Sequence, residues 1–256
     1  MTDVVRAARR EDATRIVELI RSGFAAERLE AFIYGCAGVV AFVEQLIEGA
    51  AVVDTRFFVA ERAGVVVAAI EMRRLATQLF LNYVAVAPDA RRGHLGSRLL
   101  RHAIDALHDA RHATIALDVF DDNAAACAWY EGLGFERERV TAWVRQPLPA
   151  SAPTADLGVA AGLPQAWASV AAFGFGQLTV TCGERAYTAG LLGPRYWRIT
   201  DPAALEDPML LETLIAIAPA REILALVTET AAAPFARTVR LAAQLVDVRA
   251  RLAVHA

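Results

Sequence analysis

The stretch Val84-Ala85-Val86-Ala87-Pro88-Asp89-Ala90-Arg91-Arg92-Gly93-His94-Leu95-Gly96-Ser97 limits the fold of this chain more than any other. An apolar strand ends at a proline. A loop with two arginines follows, and Leu95 opens a helix with Leu99, Leu100, Ile104 and Leu107 on one face. A helix start gathers unbonded backbone N–H groups and the positive end of the helix dipole. Arg91 and Arg92 add charge, and Gly93 and Gly96 let an anion come close to the backbone. The loop Arg91, Arg92, Gly93, His94, Leu95, Gly96, Ser97 therefore reads as a pyrophosphate site.

The flanking pattern places this loop in a larger order. Residues 3–8 read as a strand, and Arg10-Glu11-Asp12 starts a helix with Ile16, Leu19 and Ile20 on its apolar face. Residues 24–48 read as mainly helical, broken near Gly35 and Gly38. Strands are expected over 56–62, 65–72 and 78–86, then the helix from Leu95, a strand over 113–119, a helix from Asn123 and a last strand over 135–145. Antiparallel strands giving way to a strand–helix–strand crossover predict a mixed sheet in an α/β (α+β) fold, with helices on both faces.

A second block, Leu117-Asp118-Val119-Phe120-Asp121-Asp122-Asn123 through Tyr130-Glu131-Gly132-Leu133-Gly134-Phe135, lies about 30 residues on. Asn123 is a good helix N-cap, and Gly134 suits the left-handed turn that ends a helix. Together the two blocks resemble the GCN5-related N-acetyltransferase (GNAT) family. Arg91 and Gly96 fall on the outer positions of its loop signature, and His94 stands where the family has a glycine. A non-glycine residue in helical φ/ψ is allowed there, so anion binding is compatible with it. The resemblance implies acetyl-CoA as cosubstrate and no metal. It also implies a contact from Asn123 to the CoA arm, and pairing of that arm with the strand residues Val84, Ala85 and Val86.

Acetyl transfer to an amine requires a neutral nucleophile, a polarised thioester and a proton for the leaving thiolate. The resemblance gives Tyr130 the role of proton donor, with a packed aromatic beside Trp129 as the alternative. Glu71, on the second strand of the meander, is the nominee for the base, with a solvated strand residue as the alternative. Direct attack by an already neutral amine, driven by proximity, is a further route. Asn82 can orient a water, Asp118 reads as exposed, and His102, His108 and His112 read as solvated rather than metal-ligating.

Composition excludes several other classes. The net charge of −3 gives no case for nucleic acid or anionic membrane. Every one of the 26 basic residues is arginine, so the chain cannot acetylate a lysine of its own. Cys36, Cys127 and Cys182 form neither a metal pattern nor a disulfide framework, which fits a reducing cytoplasm. The first residues show no signal-peptide pattern.

Residues 1–146 are thus expected to form the GNAT-like domain, 147–164 a proline- and glycine-bearing linker, and 165–256 a smaller α+β domain. The latter reads either as a degenerate GNAT-like copy or as an unrelated domain, because Glu206 and Asp207 stand where a phosphate loop would. It is expected to do no chemistry, and a chain ending near Pro147 is expected to keep CoA binding. The functional expectation is an acetyl-CoA-dependent N-acetyltransferase acting on a primary amine of a small molecule or peptide, with a homodimer allowed. The other readings are a CoA-sensing or structural protein with little turnover, and acyl transfer to a hydroxyl. Glu27, Glu30, Glu44 and Glu48 are candidates for attracting a cationic amine.

Overall fold

The computed structural model describes residues 3–91, 93–149, 156–228 and 233–254. Its elements run β1 (Val4–Ala7), α1 (Ala13–Arg21), α2 (Ala26–Leu29), α3 (Val39–Glu48), β2 (Thr55–Arg62), β3 (Val65–Arg74), β4 (Gln78–Val86), α4 (Leu95–Leu107), β5 (Thr114–Phe120), α5 (Ala124–Gly132) and β6 (Glu136–Pro147). They continue with β7 (Val159–Ala161), α6 (Leu163–Phe173), β8 (Phe175–Cys182), β9 (Arg185–Leu192), β10 (Tyr196–Ile199), α7 (Pro208–Ile217), β11 (Glu222–Val227), β12 (Ala236–Gln244) and α8 (Leu245–Val254). Gly35 ends the helical piece before α3 as expected. A Cβ there would lie 2.0 Å from the Leu29 carbonyl oxygen.

The chain packs into two compact units that are discontinuous in sequence. The first comprises Met1–Ala25, Val40–Arg139 and Val239–Ala256; the second comprises Ala26–Val39 and Val140–Thr238. The chain thus leaves the first unit twice, briefly between Ala25 and Val40 and again from within β6 to within β12.

In the first unit the strand order is β1-β2-β3-β4-β5-β12. Strands β1 to β4 are antiparallel neighbours, and β4 and β5 are parallel across the α4 crossover. Val66–Met72 of β3 are buried without interruption. Such a run means that both faces of the strand are covered, and α1 and α4 are the helices packed on it. Ile16, Ile20, Ile70, Met72, Leu79, Leu81, Leu99, Leu100 and Ile104 form the centre of this core.

Two irregularities in register shape the site. The pairing of β3 with β4 runs Glu71↔Tyr83 and then Met72↔Leu81, so Asn82 is the extra residue of a β-bulge. Strand β4 then pairs with β5 only from Gln78↔Thr114 to Leu81↔Leu117, although both strands continue further.

In the second unit the order is β6-β11-β10-β9-β8-β7. Strand β11 is antiparallel to β6 from Ala142 to Pro147, and parallel to β10 along all four residues Tyr196–Ile199. Its core includes Leu178, Trp197, Ile199, Leu210, Leu214 and Ile223. Part of the expected linker is structured, since β7 lies at Val159–Ala161 and α6 starts at Leu163. Gly162 takes φ +78° before it, and Pro164 sits in the first turn. Proline is favoured there because that N–H has no helical partner in any case. The prolines that suggested a linker therefore include a helix-start proline.

The last residues of the chain complete the first unit. Leu245, Val248 and Leu252 of α8 are at most 2% exposed, and α8 packs on α4 and β5. Arg240 forms a two-pronged ion pair with Asp118 of β5 at 2.6 and 2.8 Å. Arg251 donates to the Gly132 carbonyl at 3.3 Å, and its guanidinium lies where a Cβ on Gly134 would collide with it. Burying the three apolar side chains of α8 contributes about 4–9 kcal/mol, on the scale of a whole domain's stability. A chain ending at Gln244 should therefore lose cooperative unfolding of the first unit and, with it, CoA binding by calorimetry. This outcome reverses the expectation for a chain ending near Pro147, which would lack β12 as well; full CoA affinity in either truncation would refute it.

Candidate functional site

A cavity of about 910 Å³ opens in the first unit where β4 parts from β5. That volume lies within the range of about 300–1,000 Å³ usual for small-molecule sites. Its walls come from Tyr83–Val86 of β4, the Ala90–Arg91 turn, His94–Ser97 at the start of α4, and Asn123 to Leu133 along α5. Leu19, Ile20, Ser22, Gly23 and Phe24 close it from the side of α1.

The start of α4 forms one end. Its side chains provide no cap: His94 occupies the N-cap position without a side-chain hydrogen bond. The first helical bond there runs from Arg98 N to His94 O, at 2.9 Å. The N–H groups of Leu95, Gly96 and Ser97 are therefore the unbonded donors of the first turn, and all three residues line the cavity. Gly93 has open space where a Cβ would stand, while one on Gly96 would touch the Trp129 ring at 3.7 Å. Arg91 is exposed and donates from Nε to the Val86 carbonyl at 3.1 Å. Arg92 lies outside the described residues.

His94 takes φ +54° and ψ +14°. The expected helical φ/ψ is thus corrected to the left-handed region. A Cβ there meets the following carbonyl, at a cost of about 1–2 kcal/mol. Histidine visits this region more often than most residues, so the loop keeps a conformation that glycine would adopt freely.

Along the middle of the cavity, Asn123 caps α5, its Oδ1 accepting from Ala126 N at 3.2 Å. Trp129 Nε1 donates to Ser97 Oγ at 3.2 Å, which ties α5 to the first turn of α4. Past Leu81, one edge of β4 is released from β5, while Val84, Ala85 and Val86 still pair with β3 on the other side. An extended ligand rich in amides can pair with that released edge as a strand would.

Phe24 and Tyr83 stand at the far end, with ring centroids 6.1 Å apart and planes at 83°. The buried Phe120 meets Phe24 at 6.3 Å and 75°. Trp129, Phe24 and Tyr83 carried no site signal in the sequence, because a lone aromatic at an apolar position reads as core.

Neither Tyr130 nor Glu71 is among the residues lining the cavity. Tyr130 is 6% exposed and packs against Trp129 at 4.8 Å and Phe135 at 5.6 Å. Burial, with a smaller contribution from Cys127, pushes its phenol well above the usual tyrosine value. Glu71 is buried, 5% exposed, and accepts from Asn82 Nδ2 at 2.7 Å. The carboxylate thereby holds the side chain of the bulged residue.

Several other sites add to or differ from their sequence reading. Asp118 is exposed as expected, and it also pairs with Arg240. His112 is 5% exposed, not solvated: its Nδ1 accepts from Asp109 N at 3.1 Å, and Nε2–H donates to Leu75 O at 3.1 Å. Glu44 and Glu48 bind Arg10, and Glu30 binds Arg195. None of the four glutamates considered for a cationic acceptor lines the cavity. Among the described residues no cluster of three or more His, Cys, Asp or Glu is placed to hold a metal. Cys36, Cys127 and Cys182 are buried thiols outside any disulfide.

Residues 27–135 match the acetyltransferase (GNAT) family. The [ribosomal protein bS18]-alanine N-acetyltransferase of Escherichia coli K12 is 47% identical over 57 residues, which is 22% of this chain and 38% of that protein. Its counterpart in Salmonella typhimurium is 46% identical over the same length. The chain thus spans well under half the length of the curated relatives it matches. A tandem GNAT protein from the clavulanic acid biosynthesis pathway superposes with a TM-score of 0.60 at 13% identity, over 95% of this chain and 98% of that one. An acetyltransferase structure from Pyrococcus horikoshii gives 0.59 at 14%, over 94% and 89%. These likenesses show the fold, a GNAT fold with a second GNAT-like half.

The strained His94 gives a direct test of the loop. His94→Gly removes about 1–2 kcal/mol of left-handed strain and returns about 0.4–1 kcal/mol of unfolded-chain entropy. The variant should gain up to about 1.6 kcal/mol, a rise in Tm of up to about 3–6 °C for a chain of this size. A loss of stability on calorimetric melting would show that the imidazole does more than fill the position.

Proposed function

We propose that this chain, which carries an acetyltransferase (GNAT) family domain at residues 27–135, binds acetyl-CoA in its first unit and transfers the acetyl group to an amine. The observation that carries the reading is the cavity where β4 leaves β5, with the uncapped start of α4 at one end. In this reading Arg91, Arg92, Gly93, His94, Leu95, Gly96 and Ser97 hold the pyrophosphate. Val84, Ala85 and Val86 take the amides of the pantetheine arm, and Asn123 contacts the same arm from α5. The cosubstrate supplies an activated acetyl thioester. The chain supplies position, exclusion of water by apolar walls, and proton handling.

The family resemblance assigns Tyr130 the proton for the leaving thiolate, a role that requires its hydroxyl to reach the cavity past Trp129, since Tyr130 itself does not line it. Its raised pKa keeps the phenol protonated through the neutral range and beyond the ordinary tyrosine value of about 10. Glu71 is assigned a positioning role through Asn82, and the acceptor amine arrives already neutral. An amine acceptor is in keeping with the relatives that acetylate an alanine of a ribosomal protein. Among the described residues no helix is long and apolar enough to cross a membrane; with three buried thiols outside any disulfide, the compartment we infer is the cytoplasm.

The part of residues 165–256 that packs in the second unit, up to Thr238, is assigned no CoA site of its own. Asp207 accepts from Met209 N at 3.0 Å and Leu210 N at 3.2 Å, so its own carboxylate takes the start of α7. Strand β10 stays bonded to β11 along its whole length.

Three measurements test this assignment. Arg91→Ala should weaken CoA binding in calorimetry by up to about fivefold, as expected for an exposed charge near phosphate. Tyr130→Phe should lower kcat for thiol release by tenfold or more while CoA affinity holds. Glu71→Gln keeps an oxygen for Asn82 and should hold kcat within about threefold, whereas Glu71→Ala should not; a collapse of kcat in the glutamine variant would make Glu71 the base instead. Tight CoA binding without thiol release for any amine would favour a CoA-sensing protein.

A further inference from the structure

We infer that the acceptor is a primary α-amine bearing an apolar side chain, recognised by the aromatic corner of Phe24 and Tyr83; this rests on the acetyl-transfer reading above. The two ends of the cavity differ in chemistry. One end has Arg91 and the open N–H groups of α4. The other has Phe24 and Tyr83, with Phe120 packed edge-on behind Phe24. With the phosphates at the first end, the acyl group and its acceptor meet at the second. Tyr83 is the first residue beyond the Asn82 bulge and the last β4–β5 pair, Leu81↔Leu117.

Three features of that end favour this acceptor class over a lysine-like or polycationic one. First, the described lining carries no carboxylate. The glutamate nearest in sequence to Phe24 in the same unit, Glu18, pairs with Arg15, and Glu44 and Glu48 are held by Arg10. A second positive charge on the acceptor would meet no counter-charge there, and burying it would be costly. Second, Glu71 is turned to Asn82 and does not line the cavity. The amine must then reach the thioester as the neutral base. An α-amine, with a pKa near 7.7–8.0, is neutral in about one molecule in ten at pH 7, whereas an alkyl ammonium near 10.4 is neutral in about one in 2,500. Third, the walls at this end are aromatic and aliphatic: Phe24 and Tyr83 with Leu19 and Ile20. The Ser22 hydroxyl beside them donates to the Leu19 carbonyl at 2.7 Å. An apolar side chain next to the amine buries its surface against this corner at about 25 cal/mol per Å².

The acetyl step balances without any further reactant. The lone pair of the neutral amine forms the N–C bond as the C–S bond breaks; the nitrogen then sheds its extra proton to solvent, and the leaving thiolate takes a proton from Tyr130, which solvent reprotonates.

The test uses the full-length chain loaded with CoA or acetyl-CoA. L-Leucinamide and L-phenylalaninamide should show kcat/KM at least tenfold above L-lysinamide and cadaverine. Their rates should rise with pH and level off near the pKa of their own α-amine. Phe24→Ala should cut kcat/KM for leucinamide about tenfold, chiefly through KM, with CoA affinity unchanged; Phe24→Leu should restore most of it. Calorimetry of leucinamide on the CoA-loaded protein reads the same contact without turnover, so the site is tested even if no amine is acetylated. A preference for cadaverine or lysinamide overturns the inference, as does leucinamide binding that Phe24→Ala leaves unchanged. Failure to bind CoA at all would instead overturn the acetyl-transfer reading.

Discussion

The separation of β4 from β5 after Leu81 and Leu117 is the constraint on which the rest of the site depends. Two parallel strands in a buried sheet normally keep their hydrogen bonds, because an unpaired backbone amide away from water is costly. Here one strand carries an extra residue. Asn82 shifts the register of β4 against β3, and Glu71 holds its side chain from below. A bulge bends its strand and sharpens the local twist, which takes the end of β4 away from β5. The released edge remains polar and needs a partner with alternating donors and acceptors. The uncapped start of α4 follows the same strand and asks for an anion. A ligand with an amide-bearing arm and a pyrophosphate satisfies both demands at once.

Distant sequence holds this opening in place. Without β12, β5 would have a free edge just where it leaves β4. Arg240 fixes β12 to β5 through Asp118 and also lies over the Phe80 ring at 4.8 Å. The hydrogen bond to Asp118 raises the Arg240 pKa, against the opposing effect of burial. Arg251 braces the end of α5 at Gly132, a residue that lines the cavity. The motif-bearing residues and the residues that keep them in register are therefore more than a hundred positions apart in the chain.

That distance explains what could be read from the sequence. The β–loop–α arrangement around Arg91 and the Asn123 cap were legible because each is a local problem of backbone groups seeking partners. The mixed sheet was legible from the order of apolar periods. The Asn82 bulge was not, since one extra residue in an alternating strand leaves no mark when both faces are buried. Return of residues 239–254 to the first unit was invisible too, because β12 and α8 have the same apolar pattern whichever core they join. His112 misled because a polar residue after a helix reads as solvated; only the fold brings the Leu75 carbonyl within 3.1 Å of it. His94 was placed correctly in the loop but given the wrong backbone region, since a lone histidine does not announce its φ.

The two halves answer the same electrostatic problem in opposite ways. Every helix start presents N–H groups that must find an acceptor. At α7 the chain supplies one itself: Asp207 closes the first turn, and Asp201 accepts from Ala203 N just before it, at 2.9 Å. At α4 the corresponding positions hold His94, Gly93 and Arg91, which offer no such acceptor in the described structure. The strands follow suit. Strand β10 stops at Ile199 with every residue bonded to β11, whereas β4 continues past its last bond to β5 for five residues. A carboxylate at the helix start and a fully paired strand make the second half self-sufficient, and a self-sufficient backbone has nothing left to offer a ligand. The first half is incomplete in the same two places, and that incompleteness is what the proposed CoA site would complete.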